Sequence, residues 1–336
     1  MAAKRFLVTG GLGFLGAALV QALVHAGYSV RVLDNASRGS IERLGAVQNH
    51  VEIISGDIRD ATIVARAMQE MDSVCHLAFV NGTHWFYEKP VYVLDVGVKG
   101  MVNVLNSAIR AGVPELIIAS SSEVYQTPPR IPTDETVPLS IPDPRNPRYS
   151  YAGGKIISEL MALHYGREYF QRVLIFRPHN VFGPNMGFDH VIPETVWRMV
   201  QLKAKYGSYD IPFPIQGTGD QSRTFIFIKD FTAGLMLAIE KGEHLNIYNI
   251  GTTEELKIGD VVQRIAQCMS VSIKVIAGPS AAGNTQRRCP DIRKIRQLGF
   301  EPRFKFDTAL PPTVQWYLEH PADSAGISVK DIIEVF

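Results

Sequence analysis

Cysteine is scarce in this chain. Three in 336 residues, Cys75, Cys268 and Cys289, are too few and too scattered for a disulfide framework or a zinc site. Cys75 falls inside a short apolar run and reads as core. An excess of charge of either sign is also lacking: 34 Lys and Arg face 33 Asp and Glu, for a net charge of +1. No basic run exceeds two residues, as at Arg287-Arg288, so the electrostatic footprint of a nucleic-acid binder is missing. No apolar run approaches the ~18 residues that span a bilayer. A strand begins by Arg5, which leaves no room for a signal peptide. The expectation is a soluble cytoplasmic protein with no membrane partner and no metal.

Repeats and low-complexity segments are absent too, and what remains is a long, ordinary globular sequence. Its length exceeds the usual single core, so one large domain with a smaller one appended is expected. Short apolar runs at Val51–Ser55, 73–77, 116–120 and 173–176 alternate with helical segments at 61–69, 91–111 and 151–169. Leu94, Val98, Val102, Leu105 and Ile109 recur at helical spacing, as do Ile156, Leu160 and Leu163. Such alternation is the mark of parallel βαβ units, and it predicts a Rossmann-type, doubly wound parallel α/β sheet. After about residue 180 the alternation gives way to Pro-rich loops and short strands. The predicted division is a cofactor-binding domain over 1–178 with returning segments at about 220–250, and a smaller mixed α/β substrate domain over the remainder of 179–336.

The first strand-turn-helix carries Gly10, Gly13 and Gly16, and Asp34 closes a second apolar run eighteen residues later. Gly10 serves a tight turn, Gly13 lets backbone approach a pyrophosphate, and Gly16 lets the helix pack on the sheet. The phosphates then meet the free N–H groups at the helix start. A carboxylate at Asp34 accepts from the adenosine ribose hydroxyls and repels a 2′-phosphate, which favours NAD over NADP. Asp57, just past the third strand, sits where it can meet the adenine amino group or cap the next helix.

Ser120-Ser121-Ser122-Glu123 follows directly on a strand, so its side chains project at the carboxyl edge of the sheet, where ligands bind in such folds. Tyr151 and Lys155 lie four apart on one helix face. An ammonium beside the phenol, aided by a nicotinamide cation, favours the phenolate. Tyr151 then removes a hydroxyl proton while hydride leaves the same carbon, and Ser121 shares the hydrogen bond to that hydroxyl.

Together these segments resemble the extended short-chain dehydrogenases/reductases, in particular the NAD-dependent nucleotide-sugar epimerase/dehydratase family. The resemblance runs through Thr9-Gly10-x-x-Gly13-x-x-Gly16, Asp57, His76-Leu77-Ala78, Ser121, Tyr151-x-x-x-Lys155, the Arg177 to Pro184 segment, Gln221-x-Arg223, Asp230, Tyr248 to Gly251 and Arg287 to Asp291. It implies a bound, recycled NAD that oxidises C4 of a nucleotide-linked sugar. It further implies cofactor contacts at Gly10, Gly13, Phe14, Leu15, Gly16, Asp34, Asp57, Ile58, Leu77, Ala78, Tyr151 and Lys155. The catalytic set it implies is Ser121, Tyr151, Lys155 and Glu123. Ser122, Asn180, Arg223 and Arg288 are implied for a UDP-, GDP-, dTDP- or CDP-linked substrate, and Arg forks suit its two phosphates. Helices 91–111 and 151–169 resemble those of the family's homodimer interface.

Glu123 resembles the carboxylate of the family's 4,6-dehydratases and uronate decarboxylases. As a base of raised pKa beside a 4-ketone it would take the C5 proton, which tilts the expectation toward 4,6-dehydration; the alternative role is a carboxylate satisfied by neighbouring backbone. Ser122 stands where one dehydratase branch has an acid, and Gln126 where Gly is usual, so 4-epimerisation and then UDP-uronate decarboxylation are the alternatives. A regulator that binds NAD without turnover is the non-enzyme alternative, disfavoured by the intact Ser121, Tyr151 and Lys155. His179 and His190 are expected in loops facing the sugar, and His84 near the nicotinamide end. The Pro-rich connection 128–147 is expected to act as a flap.

Overall fold

In the computed structural model, residues 3–279, 283 and 285–321 are described. Seven parallel strands form the central sheet: β1 (Arg5–Thr9), β2 (Ser29–Asp34), β3 (Val51–Ser55), β4 (Ser73–His76), β5 (Glu115–Ala119), β6 (Arg172–Pro178) and β7 (Asn246–Ile250). Their order is β7-β6-β5-β4-β1-β2-β3, with every neighbouring pair parallel. The chain winds outward from β1 to β3, then from β4 to β7 on the other side. The crevice between the ends of β1 and β4 is therefore the switch point where such sheets bind ligands.

Strand residues alternate between two cores, as a pleated sheet buried on both faces requires. Phe6 and Val8 of β1, Ile117 of β5 and Phe176 of β6 face helices Phe14–His25 and Ile228–Lys241. Leu7, Leu116, Ile118 and Ile175 face helices Ala61–Met68, Gly100–Ala111 and Tyr149–Tyr169. Ile292, Ile295 and Phe300, from the far C-terminal part, also pack into the first of these cores.

The predicted helix 91–111 is a Pro90–Leu94 turn and Gly100–Ala111 joined by a π-type stretch over Asp95–Lys99. Gly97 lies so close to the Phe79 ring that any side chain there would overlap it. A wider turn at such a contact is the usual place for a π-bulge.

A third core holds Phe182, Met199, Phe213, Val261, Phe306 and Tyr317. Rings of Phe225, Phe227 and Phe306 lie 5.3 to 6.3 Å from Phe182. Two small sheets stand with it, Ile211–Ile215 on Ile273–Ala277, and Ser222–Thr224 between Glu255–Lys257 and Arg287–Arg288. Among the described residues no helix is long and apolar enough to cross a membrane, and no cluster of His, Cys, Asp or Glu can hold a metal ion.

The connection 128–147 is not a free flap. Thr133 N–H donates to Cys289 O, Asp291 N–H donates back to Thr133 O, and Ser140 N–H reaches Val124 O. Val137 is buried. Segments more than a hundred residues away pin this stretch.

Candidate active site

The turn after β1 leaves the strand at Gly10, whose φ of +73° suits glycine. A Cβ there would come 2.7 Å from Ala78 N, so Leu77 and Ala78 wall the turn. On Gly16 a Cβ would overlap the Gly10 carbonyl, whereas on Gly13 it would meet only that same oxygen at 3.3 Å. Backbone thus stays uncovered at Gly13, where a diphosphate needs it. No side chain caps the helix that starts at Phe14, and Phe14 and Leu15 carry first-turn N–H groups of the kind that bind phosphate.

Asp34 is held in place by backbone: Leu12 N–H donates to Oδ2 at 2.9 Å and Ala36 N–H to Oδ1 at 2.8 Å. Each oxygen keeps a lone pair for a ribose hydroxyl. These residues fit a dinucleotide with two free ribose hydroxyls.

Asp57 does not cap the next helix; Asp60 does, accepting from Thr62 and Ile63 N–H. Asp57 takes three donors from Arg59 and one from Asn35 at 3.2 Å, and the hydrogen bonding of Arg59 holds its pKa below the ordinary range. An adenine amino group reaches it only by displacing one of these donors. Ile58, next to it, is buried.

At the end of β5 the chain turns into a single helical turn, Ser122–Tyr125, capped by Ser121, whose Oγ accepts from Glu123 N–H at 3.1 Å. The same hydroxyl hydrogen-bonds the Tyr151 phenol. Tyr151 comes from helix Tyr149–Tyr169, and its ring is clamped by Phe86, stacked at 4.9 Å, and Phe79, edge-on at 5.1 Å. Lys155, one turn on, donates from Nζ to Ala119 O at 2.6 Å and lies 3.9 Å over the Phe79 ring.

Burial dominates both titrations. It pushes the Tyr151 phenol up to about 12 against the Ser121 hydrogen bond, and Lys155 down to about 7, with Glu159 opposing. The expected lowering of the phenol by its lysine neighbour is absent from this protein alone.

Glu123 departs most from expectation. A C5 base needs a raised pKa. Burial does push the carboxyl upward, but the charge and hydrogen bond of Arg288, then the charges of Arg148 and Arg223, overcome it and leave Glu123 at about 2. Nor is its carboxylate satisfied by backbone alone: Arg288 Nη1 donates to it at 2.6 Å, and Arg148 Nη2 stands 4.0 Å from its other oxygen.

Three guanidiniums therefore surround one carboxylate. Arg223 and Arg288 lie in register on neighbouring strands. Burial, then the charge of Arg288, lowers Arg223 to about 10. Arg223 donates to Ser222 O and Thr285 O, and Arg288 also reaches Thr285 Oγ1. Ser122 is buried beside Glu123. Asn180, at φ +42°, spends one amide hydrogen on Thr224 O. Arg287 turns away to pair with Glu255.

His179 and His190 lie in loops, as expected, and His84 lies on the short helix whose Phe86 stacks on Tyr151. His179 is a core residue with no exposed surface, its Nε2 3.1 Å from Asn249 Oδ1, and burial lowers it to about 3. His190 opens helix Val191–Tyr206 and burial lowers it to about 4. His84 pairs with Glu88 at 3.0 Å. The ring that touches Tyr151 from that segment is Phe86.

Sequence reasoning also missed Arg148, Phe79 and Glu159. Position i−3 from Tyr151 is the signal that finds Arg148, and i+4 from Lys155 the one that finds Glu159. Glu159 is buried, held bidentately by Arg177 at 2.8 and 2.5 Å and by the Ser120 hydroxyl.

Comparison with known proteins agrees with this geometry. Residues 6–251 match the model of the NAD dependent epimerase/dehydratase family. The chain is 29% identical to the UDP-N-acetyl-alpha-D-glucosaminuronate decarboxylase of Bacillus cytotoxicus, over 94% of this chain and 98% of that protein. It is 30% identical to UDP-glucuronic acid decarboxylase 1 of Danio rerio, over 96% of this chain and 76% of that one. Among solved structures, the dTDP-glucose 4,6-dehydratase of Streptomyces venezuelae, determined with NAD, superposes with a TM-score of 0.83 at 29% identity, covering 95% and 98% of the two chains. The UDP-glucose 4-epimerase of Thermotoga maritima, determined with UDP-glucose, gives 0.82 at 26%, covering 94% and 99%.

Proposed function

The chain belongs to the NAD-dependent epimerase/dehydratase family, and on that premise we propose that it oxidises C4 of a nucleoside-diphosphate hexuronate and releases the C6 carboxylate as carbon dioxide. The Gly10–Gly16 turn and Asp34 would hold NAD, which when bound would supply the hydride acceptor for C4. Tyr151 takes the C4 hydroxyl proton and Ser121 hydrogen-bonds the same oxygen. Lys155, bonded to Ala119 O, stands 5.9 Å from the centre of the Tyr151 ring, and in its protonated form it favours the phenolate. Once C4 is a ketone, the acid at C6 is a β-keto acid. Its C5–C6 bond breaks without any base: the electron pair enters the enolate and a proton is delivered to C5; C4 then regains its hydride while Tyr151 returns the proton to the C4 oxygen, so carbon dioxide is the only net loss.

The observation that carries this reading is Glu123, ionised at about 2 within a cluster of three arginines. Such a group is a poor proton acceptor, and the excess positive charge suits a second carboxylate. Decarboxylases among the similar proteins support the same reading. Incubating the holoenzyme with a panel of nucleotide sugars and nucleotide uronates tests it by mass. Loss of carbon dioxide alone from a uronate is the expected result.

A second reading, 4,6-dehydration, is favoured by the position of Glu123, two residues past Ser121 and close enough to raise the Tyr151 pKa. Loss of water from a neutral nucleotide hexose, with uronates untouched, would establish it instead.

The residues about 1–178 with about 220–250 serve the cofactor in this reading, and the remainder the nucleotide sugar. The exposed apolar residues Val91, Leu94, Ile157, Leu160 and Tyr169 on the two outer helices support a homodimer. A monomer by light scattering at micromolar concentration would remove that assignment. Three free cysteines, two of them buried, suit the reducing cytoplasm.

A further inference from the structure

We propose that Arg148 is the residue that selects an acidic sugar, by pairing with the carboxylate at C6. The proposal rests on the uronate reading above and deepens it. Arg148 precedes Tyr151 by three residues, at the start of the same helix, so its side chain and the phenol rise from one helix face. Its backbone N–H is fixed by Asn146 Oδ1 at 3.0 Å. The side chain is only 12% exposed, and its buried Nε has no hydrogen-bond partner among the described residues. Among the described residues its ion pair is the 4.0 Å contact with Glu123, too long for a hydrogen bond.

The cations of the cluster divide as follows. Arg288 has a close partner in Glu123 at 2.6 Å. Arg223, braced by Ser222 O and Thr285 O, is fixed for the diphosphate. Arg288 also has a buried, unpartnered Nε, but both its Nη atoms are bonded, whereas Arg148 has no acceptor within hydrogen-bond distance of its guanidinium among the described residues, and a buried donor without an acceptor is costly. Tyr151 and Ser121 mark the C4 oxygen, and C6 is attached to the neighbouring ring carbon. A carboxylate at C6 lies on the Glu123 side of the phenol, within reach of a guanidinium whose fork matches it. Arg148 does not touch the breaking bond's electrons. It holds the carboxylate until carbon dioxide departs, and a neutral hexose or the pentose product gives it nothing to hold.

The test measures binding by calorimetry to the NAD-loaded Tyr151→Phe protein, which holds the sugar with turnover suppressed, with UDP, a UDP-hexuronate and the corresponding UDP-hexose as probes. With Arg148 in place it is expected to prefer the hexuronate by about 10- to 100-fold, the usual worth of a charged hydrogen-bonded pair. Adding Arg148→Gln is expected to remove that preference while affinity for UDP and NAD content stay unchanged. Arg148→Lys, which keeps charge without the fork, should lose the preference several-fold, and it decides the matter if the Gln variant does not fold. Undiminished preference in both variants, or in the Lys variant alone when the other is unfolded, overturns the role of Arg148. Failure of the uronate reading is visible separately, as a wild type that neither prefers nor decarboxylates any hexuronate.

Discussion

Two carboxylate–guanidinium clusters flank the end of β5, and they are built on opposite principles. Glu159 and Arg177 form a closed account of one negative and one positive charge, 2 to 3% exposed, joined by two hydrogen bonds and completed by the Ser120 hydroxyl and the Tyr125 phenol. Around Glu123 one carboxylate faces three guanidiniums, two of them with unpartnered Nε atoms. Adjacent serines on one strand end, Ser120 and Ser121, serve the two clusters. A balanced pair has nothing left to offer a ligand and acts on the fold, whereas an unbalanced cluster is stable enough to exist and incomplete until an anion arrives.

The largest effect that would break this contrast is on stability. Arg177→Met leaves Glu159 buried and alone and should cost about 3–5 kcal/mol in denaturant unfolding, with much of it restored when Glu159→Gln is added. A single variant as stable as wild type would mean that the balanced pair is dispensable. On the catalytic side Tyr151→Phe should lower turnover about 10²- to 10⁴-fold with bound NAD unchanged, since the clamp of Phe79 and Phe86 holds either ring.

Arg223→Ala sharpens the other half of the contrast. Affinity for UDP should fall about tenfold or more, while the melting temperature holds or rises, because the change relieves repulsion from Arg288. A lower melting temperature with unaltered UDP binding would make Arg223 structural.

The smallest effect concerns acid. Glu123 titrates at about 2 when folded against 4.5 as a free side chain. Its folded pKa is depressed, so its contribution to stability is complete above 4.5 and fades as pH falls toward 2. Glu123→Gln should flatten the stability curve within that window, and an identical acid slope in both proteins would contradict the pairing with Arg288.

The first strand-turn-helix was legible because its signal is local. Strand, three glycines, helix and Asp34 are contiguous, and backbone geometry alone dictates where glycine must stand. Strands β5 and β6 were readable, as the short apolar runs 116–120 and 173–176, for the same reason. What could not be read was assembled across distance. Glu123 resembled a base until Arg288, 165 residues away, lowered its pKa. His179 is a loop residue, and its burial was not legible because it comes from β7, through Asn249. Asp57 and Asp60 are equally good caps on paper, and only the start of the helix distinguishes them. Arg148 carried no motif of its own.

Asn249 bears on how this protein can diverge. Asn249, at the tip of β7, accepts from Tyr125, donates to Thr133 O and Asp291 O, and offers its backbone N–H to Glu135. Four stretches of chain are knotted at a single amide. Evolutionary lengthening or shortening is then tolerable in the exposed turns around Pro129 and Arg145, outside the knot, whereas the same change between Thr133 and Glu135 would untie the floor beneath Arg177.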